Sequence, residues 1–409
     1  MSPSLPPNLA VVLQGFDQGG GVATSCLNQI RILSARYRIT LFTEAGWPQL
    51  RPLPEGVVVR RLPVPALRWL HRFAHVPRQW LFIQAVRRGL LGPGSAEGFA
   101  AVIFHSHPPA ALLAPLLRRR RIGSILVVHG DIFDRPPGTY DRRLTFWYRW
   151  ATPRAYRRVS GIVSLSSAMV PLARRWTKGQ VPIHLVPNSI DPAELGLAGA
   201  PLPARAAGGD AELLYVGRIE PLKGIDLLLQ ATAALLKTGR QLKLRCIGAV
   251  SPRYQEELER RLDSLGLRQA VRFVGPLPSD QLGASYRHCL LLVVPSRSEP
   301  QATVVLEGMA AGCPIVASDV GGNSMMLEHG SSGLLFPRDD LSSLVRCLEQ
   351  LMDDAALRQR LGEEARRRFQ TRFSRQVVAP RLFEAVAAVV QASRPNGSSR
   401  PKVVSGARD

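Results

Sequence analysis

The stretch SRSEPQATVVLEGMAAGCPIVAS, residues 296–318, joins a polar turn, a helix-like segment and a short apolar run. The apolar run LLLVVPS, residues 290–296, precedes it and has the length and composition of a buried strand. A strand, a helix and a second strand in this order form the repeating unit of a parallel sheet covered by helices on both faces. The stretch therefore predicts an α/β fold, with Glu299 in the loop at the carboxyl end of a strand and a helix over 301–311.

The same alternation of short apolar runs and helix-like segments extends along most of the chain. In the amino-terminal half it predicts strands at residues 9–16, 37–43, 57–64, 100–107, 124–130 and 161–167. In the carboxyl-terminal half it predicts strands at residues 212–218, 242–248, 271–277, 290–296, 314–318 and 333–337. Two such series predict two Rossmann-like, doubly wound domains facing a cleft, because ligands of these sheets bind beyond the carboxyl ends of the strands.

The expected domain boundaries follow from breaks in this alternation. Residues 196–211 are rich in Gly, Ala and Pro, lack periodicity, and form the predicted linker. We expect an N-terminal domain over 1–195 and a C-terminal domain over 212–375. A helix over 376–391 is expected to pack back on the N-terminal domain, and the polar segment 392–409 is predicted to be disordered.

Composition and cysteine usage limit the class of protein. The chain has 409 residues, of which 45% are hydrophobic and 21% charged, as in globular proteins with more than one domain. Its 5 cysteines are scattered without a C-x-x-C pair, which argues against a disulfide framework or zinc site and favours a reducing compartment. Residues 1–16 lack a signal-peptide pattern and no apolar run reaches about 18 residues, so we expect a cytoplasmic protein.

The charge is strongly positive and uneven along the chain. Lys and Arg number 53 against 31 Asp and Glu, a net charge of +22. Residues 1–195 hold 25 basic and 9 acidic residues, so this half carries a net charge of +16. Such an excess predicts an anionic partner, for which nucleic acid, an acidic membrane surface and an anionic substrate are candidates. Genomic base bias toward arginine is the alternative explanation.

Two basic segments of the N-terminal half bear on that partner. Residues 68–91, RWLHRFAHVPRQWLFIQAVRRGLL, interleave Arg, Trp and Leu around a central proline. They fit one or two amphipathic helices on an anionic bilayer and fit ordinary helix packing equally well. The run RRRR at 118–121 ends a predicted helix, where favourable placement in the helix dipole and solvation explain it.

A candidate cluster for phosphate binding lies in LLYVGRIEPLKGIDLLLQA, residues 213–231. A predicted strand ends near Gly217, and a loop with Arg218 and Lys223 precedes an amphipathic helix. Two cations at the end of a strand can bind a diphosphate, Arg through its planar fork and Lys as a point charge.

The two carboxylates of residues 296–318 suit a different part of the ligand whose diphosphate Arg218 and Lys223 can bind. The predicted helix directs its amino terminus into the cleft, which favours a phosphate, and Glu307 lies about two turns into it. Glu299 and Glu307 can accept hydrogen bonds from sugar hydroxyls at two places along one extended ligand. The alternative, that Glu307 faces solvent, is disfavoured by its apolar neighbours.

Several motifs occur in an order that resembles a known enzyme family. Between residues 216 and 336 the chain reads VGRIEPLKG, VRFVGPL, PSRSEPQATVVLE, GCPIVASDVGG and GSSGLLF. This order is similar to that of the family 4 retaining glycosyltransferases of GT-B fold. Looser matches in the amino-terminal half are GFDQGGGV at 15–22, HSH at 105–107, VVHG at 127–130 and LVPNSID at 185–191.

The resemblance implies a retaining glycosyltransferase that moves a sugar from a nucleotide-sugar donor to a hydroxyl acceptor without a metal or other cofactor. The N-terminal domain would serve the acceptor and the C-terminal domain the donor. Retention in this family is explained by front-face attack, in which the leaving phosphate assists deprotonation, so no covalent nucleophile is required. A lipid-linked acceptor in cell-surface polysaccharide or glycolipid synthesis would make the protein peripheral on the cytoplasmic membrane face.

The resemblance also assigns roles to individual residues. Arg218 and Lys223 would hold the donor diphosphate and neutralise the leaving group. Glu307 would bind the ribose, Glu299 the transferred sugar, and His129 the donor sugar or its phosphate from the N-terminal domain. The donor-binding positions of the family correspond here to Gly19, Gly20, Gly21, Gly217, Arg218, Lys223, Val274, Glu299, Ala302, Thr303 and Glu307.

Two positions depart from the family pattern. Gln301-Ala302 stands where Phe-Gly is common, which leaves the identity of the sugar open because these positions line its pocket. Gly308 replaces the usual Ala, a small change in packing.

Three histidines compete for one role in the N-terminal domain. His105 and His107 follow a predicted strand in a Pro-containing turn, and either one fits a structural hydrogen bond as well as ligand contact. His129 is favoured because it matches the position of the family and is followed by glycine.

Three alternatives to sugar transfer stay open. A sugar-nucleotide epimerase shares the two-domain cleft but does not need these motifs in this order. A nucleic-acid-binding protein would explain the net charge of +22, but the chain has no recognised nucleic-acid motif and only 6% aromatic residues. A pseudoenzyme that only binds sugar nucleotides is disfavoured by the joint presence of the four charged donor-site residues. We therefore expect a nucleotide sugar, a hydroxyl acceptor and an anionic membrane surface as partners, and no nucleic acid.

Overall fold

Apolar runs of this chain form parallel strands because helices bury them on both faces of a sheet. The structure is a computed structural model that describes residues 6–16, 20–46, 52–65, 75–92, 98–130, 142–199 and 211–394. Its contacts define two units, unit 1 with Met1–Asn188 and Ala379–Asp409 and unit 2 with Ser189–Val378. The two-sheet α/β architecture predicted from the sequence is confirmed.

Unit 1 is built on seven parallel strands in the order β3-β2-β1-β4-β5-β6-β7. The strands are β1 Asn8–Val12, β2 Arg38–Glu44, β3 Val58–Leu62, β4 Phe99–Phe104, β5 Gly123–Val128, β6 Gly161–Ser164 and β7 Ile183–Leu185. The helices are α1 Gly21–Leu33, α2 His75–Leu91, α3 His107–Arg119, α4 Arg142–Arg158 and α5 Val170–Thr177. The strand order reverses between β1 and β4, so the carboxyl ends of these strands form the edge where such sheets bind ligands.

Unit 2 repeats the arrangement with six parallel strands in the order β10-β9-β8-β11-β12-β13. The strands are β8 Ala211–Val216, β9 Leu242–Ile247, β10 Val271–Gly275, β11 Leu291–Val294, β12 Ile315–Ser318 and β13 Leu334–Phe336. The helices are α6 Ile225–Lys237, α7 Gln255–Ser264, α8 Ser279–His288, α9 Thr303–Ala310, α10 Asn323–Met326, α11 Leu341–Asp353 and α12 Ala355–Arg372. The order reverses between β8 and β11, which places the loops after these strands at the ligand edge.

The last helix, α13 Arg375–Ala392, ends within unit 1. Val389 of this helix lies against the first residues of β5 and β6. A Cβ atom on Gly161 would lie 2.5 Å from Val389 Cγ2, and one on Gly123 would lie 2.8 Å from Val389 Cγ1. Two glycines at the starts of these strands therefore allow the helix to pack directly on the sheet.

Some local predictions differ from the structure. Strand β7 was not predicted, because three residues carry too little periodic signal. His107 does not lie in a turn but begins α3, since Pro108 and Pro109 occupy first-turn positions that need no backbone N–H donor. Gly19, residues 200–210 of the predicted linker and the tail beyond Arg394 lie outside the described residues.

Candidate active site

The loop after β8 positions the two predicted phosphate-binding cations of unit 2. Tyr215 donates a hydrogen bond of 2.7 Å from its hydroxyl to the carbonyl oxygen of Arg218, which anchors the start of the loop. The side chain of Arg218 is 58% exposed and pairs with Glu220 at 2.9 Å. Arg218 thus pairs with a neighbouring carboxylate at the surface, and more than half of its side chain is exposed.

Gly224 brings this loop against the end of β11. Its φ of 68° lies in the left-handed region, and a Cβ atom there would stand 1.9 Å from the carbonyl oxygen of Pro295. Only glycine fits such an approach without displacing backbone. The glycine of the KG motif is therefore required sterically. It lets the loop approach the end of β11 closely, which places Lys223 beside the segment that carries Glu299.

Lys223 and Glu299 form an ion pair. Ser296 donates a hydrogen bond of 2.9 Å from its hydroxyl to the same oxygen, Oε1, of Glu299. Glu299 is only 8% exposed. Two donors therefore hold its carboxylate in a fixed position that is largely shielded from water. The structure thus brings together a cation suited to phosphate and a carboxylate suited to sugar hydroxyls.

The glycine pair after β12 supports the loop that carries Glu299. Gly321 has a φ of 54°, and a Cβ atom there would lie 1.8 Å from the carbonyl oxygen of Glu299. The backbone N–H of Gly322 donates a hydrogen bond of 3.0 Å to that same carbonyl. Gly321 and Gly322 therefore help to fix the position of the loop that carries the Glu299 carboxylate.

Glu307 has a buried partner and does not simply face solvent. It is the fifth residue of α9, closer to the helix start than the predicted two turns, because the helix begins at Thr303. The hydroxyl of Tyr286, on α8, donates a hydrogen bond of 2.6 Å to Glu307 Oε2. Burial, and then the adjacent Glu307 carboxylate, raise the pKa of Tyr286 well above its usual range, so Tyr286 stays a neutral donor.

The remaining predicted donor-site residues lie on the same elements. Ala302 is buried and caps the amino terminus of α9, and Thr303 is its first residue. Val274 lies in β10 and packs against the core of unit 2 from a partly buried position. Gln301, the residue that departs from the family pattern, is 4% exposed.

Arg297 is a residue of this site that the sequence did not reveal. It stands two positions before Glu299, and its guanidinium forms a bidentate ion pair with Asp226 at 2.7 and 2.8 Å. Arg297 lies within residues 296–318, but its partner is 71 residues away along the chain. No local pattern could have predicted that pair.

In unit 1, two of the three predicted glycines lie at the start of α1, the helix that follows β1. Gly20 caps α1 with a φ of 88°, and Gly21 is the first residue of that helix. Apart from chain neighbours and the backbone of α1, none of the described residues has an atom within 4 Å of a Cβ atom placed on either glycine.

His105, His107 and His129 lie near one another at the carboxyl ends of β4 and β5. His129 Nε2 and His105 Nδ1 are 2.7 Å apart and share a hydrogen bond. His107 stacks on Tyr156 with 5.5 Å between ring centroids. His129 is thus the histidine that follows β5, while His105 is its buried partner and His107 packs in the core.

Burial keeps these imidazoles uncharged. It lowers the pKa of His107 to about 4 and, with the repulsion from His107, that of His129 to about 3. Both rings are neutral at pH 7. A neutral His129 suits a hydrogen bond to a sugar hydroxyl better than charge neutralisation of a phosphate.

A second polar cluster at the ligand edge of unit 1 was not predicted. Glu44, at the end of β2, is buried and accepts a hydrogen bond of 3.1 Å from Gln14 Nε2. Arg78 of α2 donates to the same carboxylate through Nε at 2.6 Å. The cluster places polar groups of three different segments beside the switch point of the sheet.

Within the described part of the chain, no group of three or more His, Cys, Asp or Glu residues is arranged to hold a metal ion. The candidate site of unit 2 is instead composed of cations, carboxylates and backbone. Groups of these kinds can bind a diphosphate and a polyhydroxylated ligand.

Comparison with known proteins identifies two matching family models. Residues 20–189 match the model described as glycosyl transferase 4-like domain, and residues 203–368 match glycosyl transferases group 1. The chain is 30% identical to D-inositol 3-phosphate glycosyltransferase 1 of Catenulispora acidiphila over 379 residues. That similarity covers 85% of this chain and 87% of the relative.

Solved structures share the fold. Sucrose-phosphate synthase from Thermosynechococcus elongatus has a TM-score of 0.81 at 21% identity, covering 94% of this chain and 100% of that one. The Anabaena protein HepE in complex with UDP-glucose has a TM-score of 0.72 at 20% identity, covering 93% of this chain and 99% of that one. Both likenesses concern the fold alone.

Proposed function

Because the chain belongs to the family 4 type of glycosyltransferases with GT-B fold, we propose that it transfers a sugar from a nucleotide-sugar donor to a hydroxyl acceptor with retention. The observation that carries this proposal is the Lys223–Glu299 ion pair at the ligand edge of unit 2. It sets a phosphate-binding cation beside a carboxylate that can orient sugar hydroxyls. A sugar-nucleotide epimerase of the same fold is the alternative, and it does not need the motifs that carry Lys223 and Glu299 in this order.

In the proposed reaction, the bond between the anomeric carbon and the β-phosphate oxygen breaks, and the nucleoside diphosphate leaves with the electron pair. The acceptor oxygen bonds to the same face of that carbon, and its proton passes to the leaving phosphate. Lys223 and Arg218 stabilise the negative charge that develops on the phosphate, which lowers the barrier only if they are positioned before the reaction. No side chain is asked to act as a covalent nucleophile.

The two glutamates would orient the rest of the donor. Glu299 has Oε1 occupied by Lys223 and Ser296, and its carboxylate would bind hydroxyls of the transferred sugar near the reacting carbon. Glu307, held by Tyr286, would accept hydrogen bonds from the ribose hydroxyls. In unit 1, His129 would contact the sugar as a neutral hydrogen-bonding group, and we assign the acceptor to this unit.

We expect at least one of UDP, GDP and ADP to raise the melting temperature of the protein. A ligand at 100 times its Kd stabilises a folded protein by about 2.7 kcal/mol. UDP is the first probe, because HepE, a structural neighbour, was solved with UDP-glucose. Sugar nucleotides of the best base should then be hydrolysed slowly, which identifies the sugar. No stabilisation by any of the three, together with tight binding of duplex DNA, would contradict the proposal and favour a nucleic-acid-binding protein.

We propose, in addition, that unit 1 binds an anionic bilayer on the cytoplasmic face through the outward side of α2, which would serve a lipid-linked acceptor. The inward side of this helix is buried in the core of unit 1, so α2 does pack as an ordinary amphipathic helix. On the outward side, Trp80 is 45% and Leu81 37% exposed, and Arg87 and Arg88 are exposed. Indole and aliphatic groups suit the bilayer interface, and arginines suit acidic headgroups.

The neighbouring helix α4 supports the same proposal. Phe146 of α4 is 73% exposed, and neither α2 nor α4 contains an acidic residue in its sequence. None of the described helices has both the length and the apolar character needed to span a bilayer. Binding would therefore be peripheral and dependent on charge.

The protein is expected to sediment with vesicles that contain phosphatidylglycerol and not with vesicles of phosphatidylcholine alone. The double variant Arg87→Gln/Arg88→Gln should weaken this binding roughly 30-fold, since each basic residue near an acidic surface contributes about 1 kcal/mol. High salt should weaken it as well. Leu185→Ala, an exposed apolar residue on β7, is the control and should bind like the wild type. Equal binding of wild type and double variant would exclude this face.

A further inference from the structure

We propose that Arg297 is a positioning residue that sets the spacing between Lys223 and Glu299. It would thereby align the donor's diphosphate with its transferred sugar. The inference rests on the proposed function, in which these two residues bind adjacent parts of one donor. Arg297 itself contacts neither part of the ligand in this scheme.

The guanidinium of Arg297 ties together three loops at the ligand edge of unit 2. Its two terminal nitrogens donate to the two oxygens of Asp226, at 2.7 and 2.8 Å, at the start of α6. Its Nε donates to Asp339 at 2.7 Å, in the loop after β13. Nη1 also donates to the carbonyl oxygen of Pro221, in the loop that carries Lys223.

The backbone of Arg297 reinforces the same connection. Its N–H donates a hydrogen bond of 3.0 Å to the carbonyl oxygen of Leu222, the residue before Lys223. Glu299 follows Arg297 by two residues, on a loop that Gly321 and Gly322 hold from the other side. One residue is thus bonded directly to the Lys223 turn and belongs to the Glu299 loop.

Two features separate this arrangement from an ordinary surface ion pair. The side chains of Arg297 and Asp226 are only 20% and 15% exposed, so solvent screens them little. The bonds of Arg297 converge on both donor-binding loops, which is what a rigid spacer requires. A displacement of about 1 Å at such a point can cost about 100-fold in rate, because reacting groups must be aligned before reaction.

Arg240 provides a matched control in the same unit. It forms a bidentate ion pair with Asp353, at 2.6 and 2.7 Å, which joins the residues just before β9 to the end of α11. Asp353 is 59% exposed, and this pair contacts neither donor-binding loop. Arg240→Lys therefore removes the same kind of bidentate guanidinium–carboxylate pair and leaves the spacing between Lys223 and Glu299 unchanged.

The test compares Arg297→Lys with Arg240→Lys. We expect Arg297→Lys to lower kcat/KM for the sugar donor by about 10-fold to 100-fold, while Arg240→Lys changes it less than about twofold. Nucleoside monophosphate affinity should stay within about twofold of the wild type, because Tyr286 holds Glu307 independently, whereas diphosphate affinity should fall. The milder variant Asp226→Asn should reproduce the loss, and the double variant should add little to it.

Several outcomes would overturn the inference. One is a kcat/KM of Arg297→Lys equal to that of the wild type, and another is an equal loss of kcat/KM in Arg240→Lys. A third is equal weakening of nucleoside monophosphate and diphosphate binding by Arg297→Lys, which would indicate a general loosening of unit 2. If Arg297→Lys does not fold, Asp226→Asn alone decides between these results. Failure of the wild type to bind any nucleoside diphosphate would instead reject the proposed function, so the two failures are distinguishable.

Discussion

Lys223→Ala is expected to lower kcat for sugar transfer by about 10²-fold to 10³-fold. The ammonium group would stabilise the charge that develops on the leaving diphosphate, and removal of one such preorganised group has an effect of this size. Its ion pair with Glu299 places it at the junction between phosphate and sugar, where this charge appears. Steady-state release of nucleoside diphosphate at saturating donor measures the effect. Lys237→Ala, an exposed lysine on α6 of the same unit, is the matched control.

A double-mutant cycle separates charge stabilisation from the loss of the ion pair. Lys223→Ala leaves Glu299, which is 8% exposed, without its cation and will also destabilise unit 2. Glu299→Gln removes the negative charge and keeps the shape. If the role of Lys223 were only to neutralise Glu299, the double variant Lys223→Ala/Glu299→Gln would regain the kcat of Glu299→Gln. A lasting deficit in that double variant is the expected result.

Glu307→Ala is expected to raise the donor KM by about 10-fold to 100-fold. Hydrogen bonds between a carboxylate and ligand hydroxyls contribute about 1.5–3 kcal/mol each, and each 1.4 kcal/mol is tenfold in affinity. Donor KM and the Kd of the nucleoside diphosphate measure the loss, and both should change together because the ribose is common to the two ligands. Glu256→Gln, on the exposed side of α7, should leave both unchanged.

Tyr286→Phe distinguishes ribose binding from packing. Glu307→Ala leaves the Tyr286 hydroxyl buried without this acceptor and costs stability of about 1–3 kcal/mol. Tyr286→Phe also removes that hydrogen bond but keeps the carboxylate, so it should change KM much less than Glu307→Ala. Equal KM values for the two variants, or release of nucleoside diphosphate by Glu307→Ala at the wild-type rate and KM, would contradict the ribose role.

The pattern of apolar runs predicted the architecture because parallel strands covered on both faces must be apolar along most of their length. Residues 290–296 and 314–318 needed no knowledge of their neighbours to be recognised as strands. The same holds for the loops at their carboxyl ends, since the chain order of strand, loop and helix already places Glu299 and Lys223 at one sheet edge. Strand β7 escaped recognition because it is short.

The partners of these residues could not be predicted. Lys223 lies 76 residues from Glu299, Arg297 lies 71 from Asp226, and Tyr286 lies 21 from Glu307. A single sequence carries no signal that links positions so far apart. The Tyr286 hydroxyl that donates to Glu307 likewise comes from another helix.

The sequence by itself therefore determined the two α/β units, the edge of each sheet that carries chemistry, and the residue types available there. These properties follow from local composition and periodicity, which burial imposes on each segment separately. Only the tertiary structure decided which charges meet, that Arg297 joins the two donor-binding loops, and that His107 and His129 are neutral at pH 7. Ion pairs, close backbone approaches and pKa values depend on distances between segments remote in sequence, and folding alone creates those distances.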